Sequence, residues 1–578
     1  MTVHKYEIAH ILRTIGALLQ IKGEGTFKVR SYEKAAEIIE RGDYDLELLA
    51  REGRLLEVPG IGRNLEPKIK EIILTGRSTF LESVAREVPM GLLDLIRVPG
   101  IGPKTAKALY DSLGVCDLDT LEEAIEGHLI QKVPGLGARR EELMAQGLKE
   151  IRKYAGRVTL GLALPVARHL ANMFRASGIP GTLVGEVRRS LETVSSIEVL
   201  LKVANCERLP GEVQRRKIGP LGSEKVWTGS WDERKKAFVF STNLGIPLKI
   251  YTARDQEFGL KTLLLTGPCG FTNWIKGLAL DKGYDFSDDG PEKGKQEISA
   301  VTETDVYEKL DIGFIPPEVR HRAKFWEAAL GKYPIRLAEL SDVKGDLHIH
   351  TTWSDGLGSI EQMVLKALEL GYSYIAITDH ITKIKVINGL NSDKIRAQLA
   401  EIDKVSRKYP QIRIFSGAEV DILRDGSLAC PDDLLSKLDI VVASIHQDIG
   451  GSDGSGLDRL MKAARNPNVD IIGHPTGRLI GRRPGNPGDY ERLFKLAASN
   501  GTVLEVNSSP DRLDLSEELA LKAVSLGARL AVSTDAHSLS GMDDMVFGLA
   551  SPVRRAGLGP GAIINTLSIE DWFPLKKG

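Results

Sequence analysis

Nine side chains with metal-ligand chemistry fall in the C-terminal part of the chain: His348, His350, Asp355, His380, Glu419, His446, His474, Asp535 and His537. Imidazole nitrogens mixed with carboxylate oxygens suit manganese, zinc or iron and do not choose among them. One ion takes about four to six ligands. The set therefore implies two or three divalent ions and a bridging carboxylate, for which Glu419, in mid-order, is the candidate. Clustered divalent ions acidify bound water and neutralise phosphate charge, so the chemistry they suit best is phosphate-ester hydrolysis.

Such ligands need elements that aim them at one point. Residues two apart in a strand face the same side, and this is the spacing of His348 and His350 in Asp346-Leu347-His348-Ile349-His350 and of Asp535 and His537. Each of the six histidines after residue 321 ends an apolar run. Taken singly, a histidine so placed is more often packed in a core; six of them together with Asp355, Glu419 and Asp535 favour metal. The runs 344–350, 373–379, 412–420, 438–446, 469–474, 502–507 and 528–535 alternate with helical patterns. That rhythm predicts a parallel sheet, closed into a barrel, with its active site at the C-terminal strand ends. Arg478, Arg482 and Arg483 follow His474. Against a solvated basic loop, Arg478 is read as a clamp for a DNA phosphate at the rim. Asn507, closing the sixth run, is a weaker candidate for substrate contact.

Residues 1–155 carry helical spacing, as in Ile8-Ile11-Leu12-Ile15-Leu18-Leu19. A short phrase recurs at Val58–Gly62, Val98–Gly102 and Val133–Gly137. Val-Pro-Gly-Ile-Gly between helices predicts a helix-hairpin-helix. Gly60, Gly62, Gly100 and Gly102 let backbone approach a DNA phosphate, which the next helix N-terminus then meets. Arg63, Lys68, Lys104 and Lys107 add attraction. The third phrase, followed by Ala138 and Arg139, fits a structural turn as well as a DNA contact. The net charge of −1 argues against gripping DNA by bulk positive charge and for such local, sequence-independent devices.

Hydrophobic residues at 42% and charged residues at 27% indicate a folded rather than disordered chain. No apolar run reaches the roughly 18 residues of a membrane span, and the N-terminus lacks the pattern of a signal peptide. Cys116, Cys206, Cys269 and Cys430 form no C-x-x-C pair and fit a reducing cytoplasm.

The phrases DLHIH, SDG, TDH, GAE, SIH, GHP and STDAH together resemble the PHP domain of polymerases and histidinol phosphatases. The resemblance implies a distorted (β/α)7 barrel holding manganese, zinc or iron, and all nine ligand positions of that family's trinuclear site have a matching residue here. Aspartate at the Asp355 position is the choice of members fused to DNA polymerases. The N-terminal half resembles family X DNA polymerases: KYEIAHILRTIGALLQIKGEGTFKVRSY is similar to their small helical domain, the second hairpin falls in the fingers, and Gly185–Val194 is similar to the start of the palm. Prokaryotic family X polymerases with a fused PHP domain thus match nearly the whole chain.

The palm departs from that pattern. The family's Gly-Asp-Ile-Asp is here Ser195-Ser196-Ile197-Glu198, and Gly245–Ile250 sets Lys249 at the third aspartate position. Two Gly-Ser triphosphate contacts become Gly185-Glu186 and Gly267-Pro268. Two-metal phosphoryl transfer needs carboxylates. Ser196, Glu198 and Lys249 therefore predict a palm that keeps its shape and has lost templated synthesis, with Asp232 and Asp255 as the nearest stand-ins.

The expectation is a multidomain α+β and α/β chain: a helical DNA-binding domain at 1–90, a fingers-like helical domain at 91–155, a degenerate nucleotidyltransferase-like palm and thumb at 156–320, a linker at 321–342 and a PHP barrel at 343–578. The expected protein is a monomeric, cytoplasmic DNA-repair-type phosphoesterase or 3′–5′ exonuclease acting on gapped or nicked DNA. His348, His350, Glu419 and Asp535 form its catalytic group around one ion. His446 and His474 join Glu419 around a second, and Asp355, His380 and His537 hold a third. Competing readings are an active gap-filling family X polymerase with unusual metal ligands, a phosphatase of small substrates like histidinol phosphate, and a non-catalytic DNA-binding scaffold.

Overall fold

The apolar stripe of the first segment builds the helix Lys5–Lys22, on which Ile8, Ile11, Leu12, Ile15, Leu18 and Leu19 are all buried. His4 caps its start by accepting from the Tyr6 N–H while Glu7 accepts from the His4 N–H. The structure, a computed structural model, describes residues 3–42, 44–203, 229–232, 237–286, 295–382, 388–449 and 455–574. It divides into two compact units, Met1–Pro334 and Ile335–Gly578.

In the first unit the three repeated phrases fold alike. The N–H groups of Ile61, Ile101 and Leu136 donate to the carbonyls of Val58, Val98 and Val133. Gly60, Gly100 and Gly135 sit at φ +80°, +87° and +82°, where a side chain is strained. The apolar letters Val58, Ile61, Val98, Ile101, Val133 and Leu136 are buried and anchor each turn. The helices Glu66–Thr75, Pro103–Leu113 and Ala138–Arg152 follow the turns. What precedes them is shorter than a full helix, a single turn at Leu55–Glu57, Leu92–Leu95 and Ile130–Lys132.

The middle segments form a five-stranded sheet in the order Gly181–Val184, Ile197–Lys202, Pro247–Ala253, Ala237–Ser241, Gly229–Asp232. Ile197–Lys202 and Pro247–Ala253 pair in parallel, and the other pairs are antiparallel. Helices Phe258–Thr266, Cys269–Asp281 and Glu303–Lys309 follow. The stretch expected to be a linker from residue 321 is folded instead. It holds the helix Ala323–Leu330, whose Trp326 stacks on Trp274 with ring centroids 5.3 Å apart and donates to the Arg320 carbonyl. Arg320, fully buried, pairs with Glu303 at 2.7 Å. The segment's polar composition concealed these few anchoring side chains.

The second unit contains the seven strands expected. Gly345–Ile349, Tyr374–Ile377, Arg413–Asp421, Ile440–Ser444, Ile471–Ile472, Val503–Asn507 and Leu530–Ser533 are parallel neighbours in that order. A parallel bridge between Ile349 and Ala536 joins the last strand to the first and closes the ring. Leu347, Ala376, Phe415, Val442 and Ala531 fill the interior with Trp572. Among the described residues no helix is long and apolar enough to cross a membrane.

Candidate active sites

The barrel's strand ends bring the nine candidate ligands into one connected cluster. His348 lies within the first strand and His350 just beyond it; Glu419 lies within the third, while His446, His474 and Asp535 each stand two residues past a strand. Gly356 lets the Asp355 loop close over the first strand end, since a Cβ there would come within 2.7 Å of the His350 carbonyl. Three groups offer ligand atoms within 4.8 Å of one another: His348, His350, Glu419 and Asp535; His350, Asp355, His380 and His537; and His380, Glu419 and His446. Glu419 stands at the centre. Its Oε1 is 3.2 Å from His446 Nε2 and 3.1 Å from His474 Nε2, and its Oε2 is 3.5 Å from His348 Nε2 and 3.6 Å from His350 Nε2. The first group is the one expected. In the others the structure adds His350 beside Asp355 and draws His380 toward Glu419, at 2.8 Å.

A metal fits this cluster for a reason visible in its hydrogen bonding. His348 Nε2, both ring nitrogens of His350, His380 Nδ1 and Glu419 Oε2 are buried without a hydrogen-bond partner among the described residues. Buried polar atoms are normally satisfied, so unsatisfied ligand-type atoms on four side chains of one cluster, His348, His350, His380 and Glu419, mark a site shaped for cations. Burial opposes ionisation of Glu419, yet His446, His380 and His348 hold its carboxyl well below the usual range. Asp535 is held low in the same way, chiefly by His348 and His350. Burial, with His537 and His380 beside it, lowers the His350 imidazole to about 3. His474 and Asp535 have φ of +28° and +56°, strain of the kind that collects at functional sites.

Two carboxylates that the sequence reading missed orient these ligands. Glu505 Oε1 meets His348 Nδ1 at 2.7 Å and its Oε2 accepts from the His474 N–H at 2.6 Å. Asp421 Oδ1 meets His446 Nδ1 at 2.7 Å. Such partners fix an imidazole's tautomer and raise its basicity. Each lies two residues from a singled-out side chain on the same strand face, Glu505 from Asn507 and Asp421 from Glu419, and that spacing was the available signal. Asn507 is fully buried and donates to Glu505 and Asp535, so it positions ligands instead of contacting substrate as expected. Arg478 is corrected too. Its guanidinium donates to the carbonyls of Arg512 and Leu513, which holds the loop together instead of leaving a clamp at the rim. Arg483 does the same with the Gly477 carbonyl, and Arg482 is exposed beside Asp511.

In the palm, Glu198 and Lys249 are register partners on the parallel central strands. Lys249 Nζ donates to Glu198 Oε1 at 2.6 Å and to Ser196 Oγ at 3.0 Å, and Ser196 Oγ donates to Glu198 Oε1 at 2.7 Å. Glu186 accepts from the Ser195 N–H at 2.7 Å and pairs with Arg157 at 3.1 Å. Asp255 pairs with Lys202 at 2.7 Å, and Asp232 belongs to the edge strand, two strands from Lys249. In the hairpins, Gly60, Gly62, Gly100, Gly102 and Lys104 are exposed, and beyond Gly62 and Gly102 the space is open.

The helix-hairpin-helix domain family matches residues 3–78, a SAM-like helix-hairpin-helix tandem matches 92–150, the DNA polymerase beta thumb matches 261–321 and the PHP domain matches 346–509. The tandem takes in both the second and the third hairpin. The DNA polymerase/3′-5′ exonuclease PolX of Bacillus subtilis (strain 168) is 36% identical over 576 residues, 98% of each chain. Probable phosphatases of Thermoanaerobacter sp. (strain X514) and Thermoanaerobacter pseudethanolicus are 30% identical over 246 residues, 40% of this chain and 95% of theirs.

Proposed function

This chain belongs to the family X DNA polymerases that carry a C-terminal PHP domain, and from that premise we propose that it is a metal-dependent 3′–5′ exonuclease of gapped or nicked DNA whose palm no longer synthesises. One observation carries the reading. The barrel gathers unsatisfied ligand atoms of His348, His350, His380 and Glu419 in one cluster, whereas Glu198 in the palm is neutralised by Lys249. The matched hairpin and thumb families support DNA as the substrate, held by backbone contacts at Gly60, Gly62, Gly100 and Gly102 with Lys104 adding attraction.

His348, His350, Glu419 and Asp535 would hold one cation, His446 and His474 would join Glu419 around a second, and Asp355, His380 and His537 would hold a third. Bound divalent ions, whether manganese, zinc or iron, supply an acidified water and neutralise phosphate charge. The chain supplies the rest. Glu505 keeps the His348 Nε2 turned inward, Asp421 does so for His446, and Asn507 steadies Asp535. Burial shields His348, His350, Glu419 and His474 from bulk water, while Asp355 faces solvent. In the palm a lysine occupies the position where a metal-binding anion is required.

The test uses 3′-labelled gapped DNA with manganese, comparing the intact chain with His348→Ala and Glu419→Ala. Release of 3′ nucleotides by the intact chain alone supports the proposal. Intact DNA alongside cleavage of a small phosphate ester would favour the small-molecule phosphatase reading, to which the phosphatase relatives of the barrel lend some weight.

A further inference from the structure

Next to the metal cluster a cleft of about 470 Å³ opens, sharing His446 with it. Its size is that of a site for a small organic group, about 300–1,000 Å³. Asp421, Ile422, Leu423, Ser427 and Gln447 contribute to its lining. One wall is the tight turn in which the Leu423 N–H donates to the Ser427 carbonyl at 2.8 Å and the Gly426 N–H to the Leu423 carbonyl at 2.9 Å. The other follows the fourth strand. Arg459, nearly buried, ties the two together by donating to the carbonyls of Ile422, Leu423 and Gln447, so the cleft is preformed.

We propose that this cleft receives the 3′-terminal nucleoside of the strand being cut, an assignment that rests on the exonuclease reading above. Asp425, exposed in its lining, would repel phosphate, but its carboxylate can accept from the amino group of a base or a sugar hydroxyl. The partly exposed side chain of Leu423 suits the face of a base or sugar. His446 joins the two regions, with Nε2 3.2 Å from Glu419 and Nδ1 2.7 Å from Asp421. A phosphate held on the Glu419 side therefore has its own nucleoside directed into the cleft. At the mouth, Arg424 is 80% exposed and makes a forked pair with Asp448 at 2.6 and 3.0 Å. So exposed a pair is weak in water, and Arg424 can exchange Asp448 for a DNA phosphate, which the same fork fits.

The test compares release of 3′ nucleotides from gapped DNA with hydrolysis of bis(p-nitrophenyl) phosphate, a phosphodiester without a nucleoside, both in manganese. Ser427→Trp, which fills the cleft, lowers the ratio of the first rate to the second by about tenfold or more. Arg424→Glu, on an exposed side chain that does not endanger folding, lowers it several-fold. Equal losses on both substrates, or an unchanged ratio in both variants, would overturn the assignment. If the unsubstituted chain cleaves the small diester and leaves DNA intact, the exonuclease reading itself fails and the cleft assignment falls with it.

Discussion

In the barrel, imidazoles and carboxylates cluster with buried nitrogens and oxygens left without a hydrogen bond among the described residues, while in the palm Ser196, Glu198 and Lys249 hydrogen-bond to one another. Both clusters sit on parallel strands, and both contain a glutamate flanked by nitrogen bases. The difference lies in the proton. A neutral imidazole can give its lone pair to a cation, whereas a lysine ammonium has none to give and is itself the cation. A carboxylate beside histidines remains available to metal, and a carboxylate beside lysine is already neutralised.

The largest expected effect breaks the comparison at its centre. Glu419→Ala should lower DNA hydrolysis by about 10²-fold or more, because it removes the side chain shared by two of the ligand groups. Glu198→Ala should leave hydrolysis within a few-fold of the intact chain; nucleotide-release assays on both variants check this, and similar losses would erase the distinction.

Next in size, Glu505→Gln should cost about 10- to 100-fold in metal affinity by loosening His348. Equilibrium dialysis against manganese measures it, and unchanged affinity would remove Glu505 from the account. In the palm, Lys249→Met leaves Glu198 without its cation and should destabilise the first unit by about 1–3 kcal/mol. Urea unfolding reads this directly, and a stabilised variant would mean that the pair serves no structural purpose.

Much of the barrel was legible because its chemistry follows strand geometry. Histidines spaced by two at the ends of apolar runs can face only one mouth, and seven such runs could be counted. Lys249 was legible through the family resemblance, which set it at the third aspartate position, and the parallel register then pairs it with Glu198. The supporting residues were harder to see. Glu505 reads as one acid in an apolar run, and only the fold shows that His348 lies across from it. Arg478 illustrates the limit in the other direction: the sequence shows a basic loop, but not that nearby carbonyls take up the guanidinium. Helix Ala323–Leu330 escaped because its packing depends on a few residues, Trp326 and the adjoining Arg320 among them, within a polar stretch.

A pH experiment sharpens the contrast further. Burial disfavours the proton on His446, but Glu419 and Asp421 outweigh it and move the imidazole up to about 10 in the metal-free chain. A protonated imidazole cannot ligate, so metal must displace that proton, and affinity should rise with pH until about 10. Manganese added near pH 8 in weak buffer should acidify the solution; no proton release would contradict this. The smallest effect concerns the hairpins. Lys104→Ala should weaken DNA binding a few-fold and lower the salt dependence by about one counterion, as followed by fluorescence anisotropy.

The most direct test of the central claim places a 5′-labelled primer in a gapped duplex with manganese and all four deoxynucleoside triphosphates. The primer should shorten and never lengthen, with the shortening lost in Glu419→Ala. A primer that the intact chain extends into the gap would contradict it, since the palm would then synthesise despite the ion pair between Glu198 and Lys249.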